Sequence, residues 1–316
     1  MIHPNEVKEF ARVRMEQTPN NTQIARDIKN KFNQLYADYE IEQIRTNVRK
    51  WRDKWHVEAR KVPIKRLFFD IETSYHILEI KSWSLRNYNK YFNHEDIKQH
   101  KQIICISYKW QYEDKVHTLD WRMGEREMIK EFIKIMGDAH EIVGHNGDRF
   151  DIKELRTRAI YYGLLMFPNY RTLDTLKKAR NYFNFASNKL DYIGQYLNVG
   201  KKLDHEGFEL WEKVVAGDVD ALERMIKYCE QDVILLEDTF FVLNPFITHN
   251  NNFAVLTGGE RWDCPECASE NVEMFRFYST PMGVIRREMK CNDCKQQYKV
   301  SNKTYMLMLE ANLKRF

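Results

Sequence analysis

The chain has 316 residues, 43% of them hydrophobic and 30% charged, with six cysteines and a formal net charge of +4. That length suffices for two or three domains with at least one sizeable core. No apolar run approaches the roughly 20 residues of a membrane-spanning helix. The start, Met1-Ile2-His3-Pro4-Asn5-Glu6, lacks the basic stretch of a signal peptide, so the chain reads as soluble and cytoplasmic or otherwise intracellular, without a membrane partner. Its charge is uneven: residues 1–66 hold 15 Lys and Arg against 9 Asp and Glu, residues 67–260 hold 25 against 30, and residues 261–316 hold 10 against 7. Basic ends suit a polyanion, and an acidic middle suits a cation site.

In chain order, the first 60 or so residues read as helical up to a boundary at Pro63. Asn20-Asn21-Thr22 caps a helix that continues through Ile24, Ile28, Phe32 and Leu35. Ile41, Ile44, Val48, Trp51 and Trp55 then recur at helical spacing, with Arg45, Arg49 and Arg52 along another face. This pair resembles a homeodomain-like helix-turn-helix, with Glu42 to His56 as the recognition helix and the three arginines, Thr46 and Asn47 toward DNA. A small helical bundle with a solvated basic face is the alternative.

Leu67-Phe68-Phe69 reads as a buried strand running into Asp70-Ile71-Glu72. Strand alternation puts both carboxylates on one face and Ile71 on the other. Two buried like charges need a cation, and oxygen donors suit Mg2+ or Mn2+. From Lys81 to His100 the sequence is polar and aromatic without a period, and Trp83, Tyr88 or Tyr91 there would either stack on unpaired bases or pack as a surface loop. Ile103 to Trp110 and Val116 to Trp121 read as a hairpin, Glu125 to Met136 as a helix, and Ile142-Val143-Gly144 as a strand. Asp151 follows that strand at a junction into a helix, and Asp174 caps another helix. A long helix spans about Asp218 to Val242, where Tyr228 and Asp232, four apart, share a face.

Taken together, Asp70-x-Glu72, Asn146-x-x-x-Phe150-Asp151 and Tyr228-x-x-x-Asp232 resemble, in order, the three motifs of DEDD-type 3′-5′ exonucleases. The tyrosine form marks the branch that holds the proofreading domains of family A and B DNA polymerases; the other branch carries a histidine where this chain has Lys227. Lys189 to Gly194 and Gly200 to Asp204 resemble the region between the second and third motifs of family B proofreading domains and their freestanding relatives, and the likeness covers about residues 64–245. It implies an RNase H-like α/β fold, a mixed sheet flanked by helices. It also implies stepwise hydrolysis from a 3′ end with two Mg2+ or Mn2+ held by Asp70, Glu72, Asp151 and Asp232. Asn146 would contact substrate, while His145 stays open. Tyr228, with a phenol pKa near 10, is a poor base and is expected to orient water instead. The expected partner is nucleic acid, single-stranded DNA in first place, with a replication or repair protein as a further candidate. A DNA-binding regulator with an inert middle domain and a structure-specific endonuclease remain as alternatives.

Near the end, Cys264-x-x-Cys267 and Cys291-x-x-Cys294 have the spacing of two knuckles that grip one tetrahedral Zn2+. Met274 to Tyr278 and Val284 to Met289 between them look like strands of a zinc ribbon; four thiolates close the site, so this zinc is expected to be structural. Cys105 and Cys229 read as ordinary buried residues. The expected domains are residues 1–62, a helix-turn-helix; 63–248, the α/β body; 249–261, a linker; and 262–316, the ribbon.

Overall fold

The computed structural model describes residues 5–18, 20–58, 64–81, 93–204, 206–249 and 251–313. Pro63, Trp83, Tyr88, Tyr91, His205 and Asn250, and the side chains of Trp55 and His56, lie outside the described ones.

The N-terminal part is four helices: α1 (Asn5–Gln17), α2 (Asn21–Lys31), α3 (Asn33–Tyr36) and α4 (Ile41–Glu58). Asn20 caps α2 as expected, its side chain accepting from Thr22 and Gln23 N–H. Val7, Ala11, Ile24, Ile28, Ile44 and Val48 close a core of their own. The arginine stripe of α4 departs from expectation. Arg45, Arg49 and Arg52 are only 5%, 8% and 8% exposed, so they do not present a groove-reading face. Arg45 donates to Val199 O at 2.7 Å and pairs with Asp238, Arg49 lies 3.9 Å from Glu237, and Arg52 donates to Thr18 O at 3.1 Å. The stripe is real, but the acidic middle of the same chain covers Arg45 and Arg49, and Arg52 turns back onto the helical part itself.

The body holds β1 (Arg66–Thr73), β2 (Ile77–Leu78), β3 (Ile97–Gln99), β4 (Ile103–Trp110), β5 (His117–Asp120), α5 (Glu125–Gly137), β6 (Glu141–Gly144), α6 (Asp151–Tyr161) and β7 (Thr172–Asp174). There follow α7 (Thr175–Tyr182), α8 (Leu190–Tyr196), α9 (Phe208–Val215) and α10 (Val219–Leu243). Strands order as β5-β4-β1-β6-β7, with β4 antiparallel to β1 and β5, and β1, β6 and β7 parallel. Leu67, Phe69 and Ile71 pack beneath α5 and α6, while Phe68 packs on the opposite face against Val233, Leu236 and Phe240 of α10. The result is three layers, helix on sheet on helix.

After α10 come α11 (Phe253–Leu256), a three-stranded sheet of β8 (Val272–Ser279), β9 (Ile285–Cys291) and β10 (Gln297–Ser301), and α12 (Asn302–Leu313). The Asn- and Gly-rich stretch expected as a linker is packed: Phe253 and Ala254 are fully buried, and Asn252 caps α11. This last unit is anchored to the body through Arg66, fully buried at the start of β1. Arg66 donates to Glu141 at 2.7 Å and to both oxygens of Glu266 at 2.9 and 3.0 Å. None of the described helices is long and apolar enough to cross a membrane.

Candidate active site

The three parallel strands β1, β6 and β7 end on one side of the sheet, the side where open α/β sheets bind ligands. Because β1 alternates, the face that carries Phe68 toward α10 carries Asp70 and Glu72 two and four residues later. On α10, Asp232 precedes Leu236 and Phe240 by one and two turns, and the Phe68 and Phe240 rings lie 5.3 Å apart. This packing sets the register, so that one oxygen from each of Asp70, Glu72 and Asp232 falls within 4.8 Å of the others. Asp232 is buried, and its Oδ1 has no hydrogen-bond partner among the described residues.

Asp151 opens α6, just after the loop from β6. That loop doubles back so closely that a Cβ on Gly144 would sit 3.1 Å from the Gly147 Cα, tighter than most side-chain contacts, so a larger residue would have to push the loop outward. Asp151 is 4% exposed, and its Oδ1 accepts the Ile71 N–H at 3.3 Å, which places it beside Asp70. Asn146 takes a left-handed φ of 68°, and its N–H is held by Asp174 Oδ1 at 3.0 Å. Asp174 also caps α7, as expected from sequence. His145 is a structural peg, its ring nitrogens 2.9 Å from Thr175 Oγ1 and from Asn188 O; burial pulls its pKa down.

The electrostatics are those of an under-compensated acidic cluster. Burial, then the charges of Asp151, Glu72 and Asp232, holds Asp70 well above the ordinary carboxylate range. Glu72 is pushed up to about 8 by burial and then by Asp232. Burial raises Asp151 to about 7 against the opposing backbone hydrogen bonds. Against these carboxylates stands Lys202, whose Nζ donates to Asp232 Oδ2 at 2.5 Å and to the Tyr228 hydroxyl at 3.1 Å. Burial would lower this lysine's pKa, but Asp232 outweighs it and the ammonium is held above its usual range. Burial, then the Asp232 charge, pushes Tyr228 to about 12. Beneath the cluster, fully buried Cys229 points its Sγ at Asp70 O, 3.5 Å away. Beside it opens a pocket of about 380 Å³ lined by Tyr75, Phe208 and Trp211. The Trp211 ring is 6.4 Å from that of Tyr228.

The five acid and tyrosine positions expected from sequence thus converge, and Asn146 lies on the adjoining loop. Arg45, Arg49 and Arg52 do not join them. Sequence reasoning missed Lys202 as a site residue, although it lies in the Gly200 to Asp204 stretch that carried part of the resemblance. Apart from this site, Cys264, Cys267, Cys291 and Cys294 bring four sulfurs within 4.8 Å, with Cys264–Cys294 and Cys267–Cys291 each 3.5 Å apart. None of the four is in a disulfide, and the spacing is near the roughly 3.7 Å edge of a tetrahedral zinc–thiolate site.

Residues 90–240 match the family model described as the RNase_H superfamily, which together with the five-stranded mixed sheet bears out the expected RNase H-like fold. Among solved structures, the chain is similar to that of the family B DNA polymerase from the hyperthermophilic archaeon Pyrobaculum calidifontis, at 20% identity and a TM-score of 0.44. That similarity covers 58% of this chain and 25% of the polymerase, so it spans about a quarter of that protein's length. No curated protein matches the chain.

Proposed function

We propose that the protein is a metal-dependent 3′-5′ exonuclease acting on single-stranded DNA. The observation that carries this reading is the charge imbalance at the site: carboxylates Asp70, Glu72, Asp151 and Asp232 face the single ammonium of Lys202 among the described residues that hydrogen-bond to them. The donor set fits hard divalent cations. Its ligands are all oxygens, three of them within 4.8 Å, and the buried Asp232 Oδ1 has no hydrogen-bond partner among the described residues. Two Mg2+ or Mn2+ ions bound there would supply a Lewis acid for the scissile phosphate and lower the pKa of the attacking water.

Each residue's part follows from its surroundings. Asp70, Glu72, Asp151 and Asp232 would hold the cations between them. Tyr228, near 12, keeps its proton at neutral pH and so donates a hydrogen bond that orients water rather than removing its proton. Lys202 positions Asp232 and the Tyr228 hydroxyl through its two hydrogen bonds. The aromatic pocket of Tyr75, Phe208 and Trp211 takes the base at the scissile bond, and Asn146 contacts the strand. The four clustered cysteines hold a structural Zn2+, so the last unit contributes no chemistry to the cleavage.

The test uses a 5′-labelled single-stranded oligonucleotide with Mg2+ or Mn2+, against omission of the divalent cation and the Asp70→Ala variant. The expected result is a ladder shortening from the 3′ end in the complete reaction alone, together with one zinc per chain by elemental analysis. Cleavage of a circular single strand, which has no 3′ end, would instead identify an endonuclease. No cleavage of DNA or RNA with tight binding retained would leave a nucleic-acid-binding protein.

A further inference from the structure

An aromatic seam leads away from the site toward the cysteine-cluster unit. It begins on α8, where Asp191 accepts the backbone N–H of Lys202 at 2.8 Å, the same lysine that reaches Asp232. Next to Asp191, Tyr192 stacks on Tyr196 with ring centres 6.1 Å apart and planes 22° from parallel. Tyr196 meets Phe185 at 5.5 Å, Phe185 stacks on Phe183 at 5.2 Å, and Phe183 meets Phe246 at 6.4 Å. The two rings nearest the ends are open to solvent, Tyr196 at 62% and Phe246 at 65% exposure. Lys178 and Tyr182 of α7 both bond to Thr248, the backbone O at 2.6 Å and the hydroxyl respectively, which fixes the segment that carries Phe246.

At its far end the seam opens into a pocket of about 820 Å³ between residues 245–249, Asn251 and Asn252 on one side and the three-stranded sheet on the other. Phe246 and Phe275 line it with Arg261, Arg276, Lys295 and Lys299. Glu288, the carboxylate among its lining residues, is shared by Arg276 and Lys299. The pocket therefore keeps a net positive charge. His249 also lines it, its side chain buried and neither ring nitrogen hydrogen-bonded among the described residues, although Nδ1 is 3.4 Å from Glu266.

We propose that seam and pocket together are a track for single-stranded nucleic acid, holding the strand upstream of the 3′ end that enters the active site. This rests on the nuclease reading above. A single strand presents flat bases and a run of phosphates, so it is the polymer that matches exposed rings followed by clustered cations. A buried protein contact would not need four cations set around one carboxylate, and a membrane surface would not reach into a pocket. The cysteine-cluster unit then lengthens the grip on substrate instead of reading a separate site.

The test separates track from chemistry. Binding is read by fluorescence anisotropy of labelled dT20 and rU20 in an Asp70→Asn background, and cleavage by gel on dT4 and dT20 with the otherwise native chain. Tyr196→Ala/Phe246→Ala is expected to weaken binding of the 20-mers about 10- to 100-fold, with dT4 cleaved as before. Arg261→Ala/Lys299→Ala, at two exposed positions, is expected to lower the slope of log affinity against log salt by about 1 to 2. Zinc content and melting temperature verify that both variants fold. Ring-dependent binding of either polymer supports the track, and the stronger arm names the sugar. Unchanged 20-mer affinity in the ring variant, or an equal loss on dT4, overturns it. If no substrate is cleaved yet 20-mer binding depends on the rings, the nuclease reading fails and the track stands; if both lengths are cleaved and ring variants bind normally, the track fails alone.

Discussion

Helix α10 carries two buried charged clusters, and they differ in what balances them. Toward its middle, Asp232 joins Asp70 and Glu72, with Asp151 alongside, and Lys202, on Asp232, is the cation among the described residues that bonds to the cluster. Five and six residues later, Glu237 and Asp238 meet Lys109, Arg49 and Arg45, the Lys109 Nζ lying 2.7 Å from Glu237. Both clusters sit under the same helix, yet the second is matched by the chain itself and the first is not. Burial of charge is therefore no mark of function in this molecule. Imbalance is, because an uncompensated cluster persists only if something outside the chain completes it.

The same substitution made in each cluster gives the sharpest contrast. Asp70→Asn should reduce cleavage by on the order of a thousandfold or more, since the proposed divalent cations would lose a carboxylate that holds them. It should also raise the melting temperature in buffer without divalent cations, because a like charge is removed from the cluster. Asp238→Asn should do the reverse. It removes one of the two carboxylates paired with buried Arg45, Glu42 remaining as the other, which costs about 1–3 kcal/mol of stability, while the folded fraction keeps its activity per molecule. Denaturant titrations and single-turnover cleavage read both effects, and loss of stability in Asp70→Asn would erase the distinction between the clusters. Tyr228→Phe should cost less, about 10- to 100-fold in rate, because a hydroxyl that orients water is removed and no charge is. Equal losses in Tyr228→Phe and Asp70→Ala would show that the phenol does more than orient.

A pH profile gives the smallest effect. In the folded protein Glu72 keeps its proton to about 8 and Asp151 to about 7, whereas the unfolded chain releases both near pH 4. Between those limits the native state binds more protons than the unfolded one, so stability without divalent cations falls as pH rises from 5 to 8. Each group contributes at most about 1.4 kcal/mol per pH unit. Thermal melts at several pH values should show that slope, shallower with Mg2+ or Mn2+ present and in Asp70→Asn. A flat profile would mean that the cluster is balanced after all.

Much of the site was legible because two periodicities map directly onto geometry. Alternation along Phe68-Phe69-Asp70-Ile71-Glu72 fixed which residues face α10, and the spacing of Tyr228, Asp232, Leu236 and Phe240 fixed which face of α10 looks back. Lys202 was not legible, because it lies 30 residues before Asp232 in a loop between α8 and α9, where no period says which way a side chain points. The arginine stripe of α4 shows the limit of the same tool: spacing identifies a face but not what covers it, and here Glu237 and Asp238 cover Arg49 and Arg45. The stretch before Cys264 misled by composition, since its asparagines and glycines read as a loop while Phe253 and Ala254 pin it down. Strand β7 and helices α7 to α9 are short enough that neither period repeats within them.

Arg66 has a consequence for how the molecule is made. It opens the strand that bears Asp70 and Glu72, yet one of its partners, Glu266, lies 200 residues downstream. As the chain emerges during synthesis, the first strand of the body carries a guanidinium whose pairing is completed only when the cysteine-cluster unit arrives. Truncation before that unit leaves a buried cation with part of its counter-charge missing, so a minimal body cut at the end of α10 should be a poorly soluble fragment rather than a small, self-sufficient enzyme.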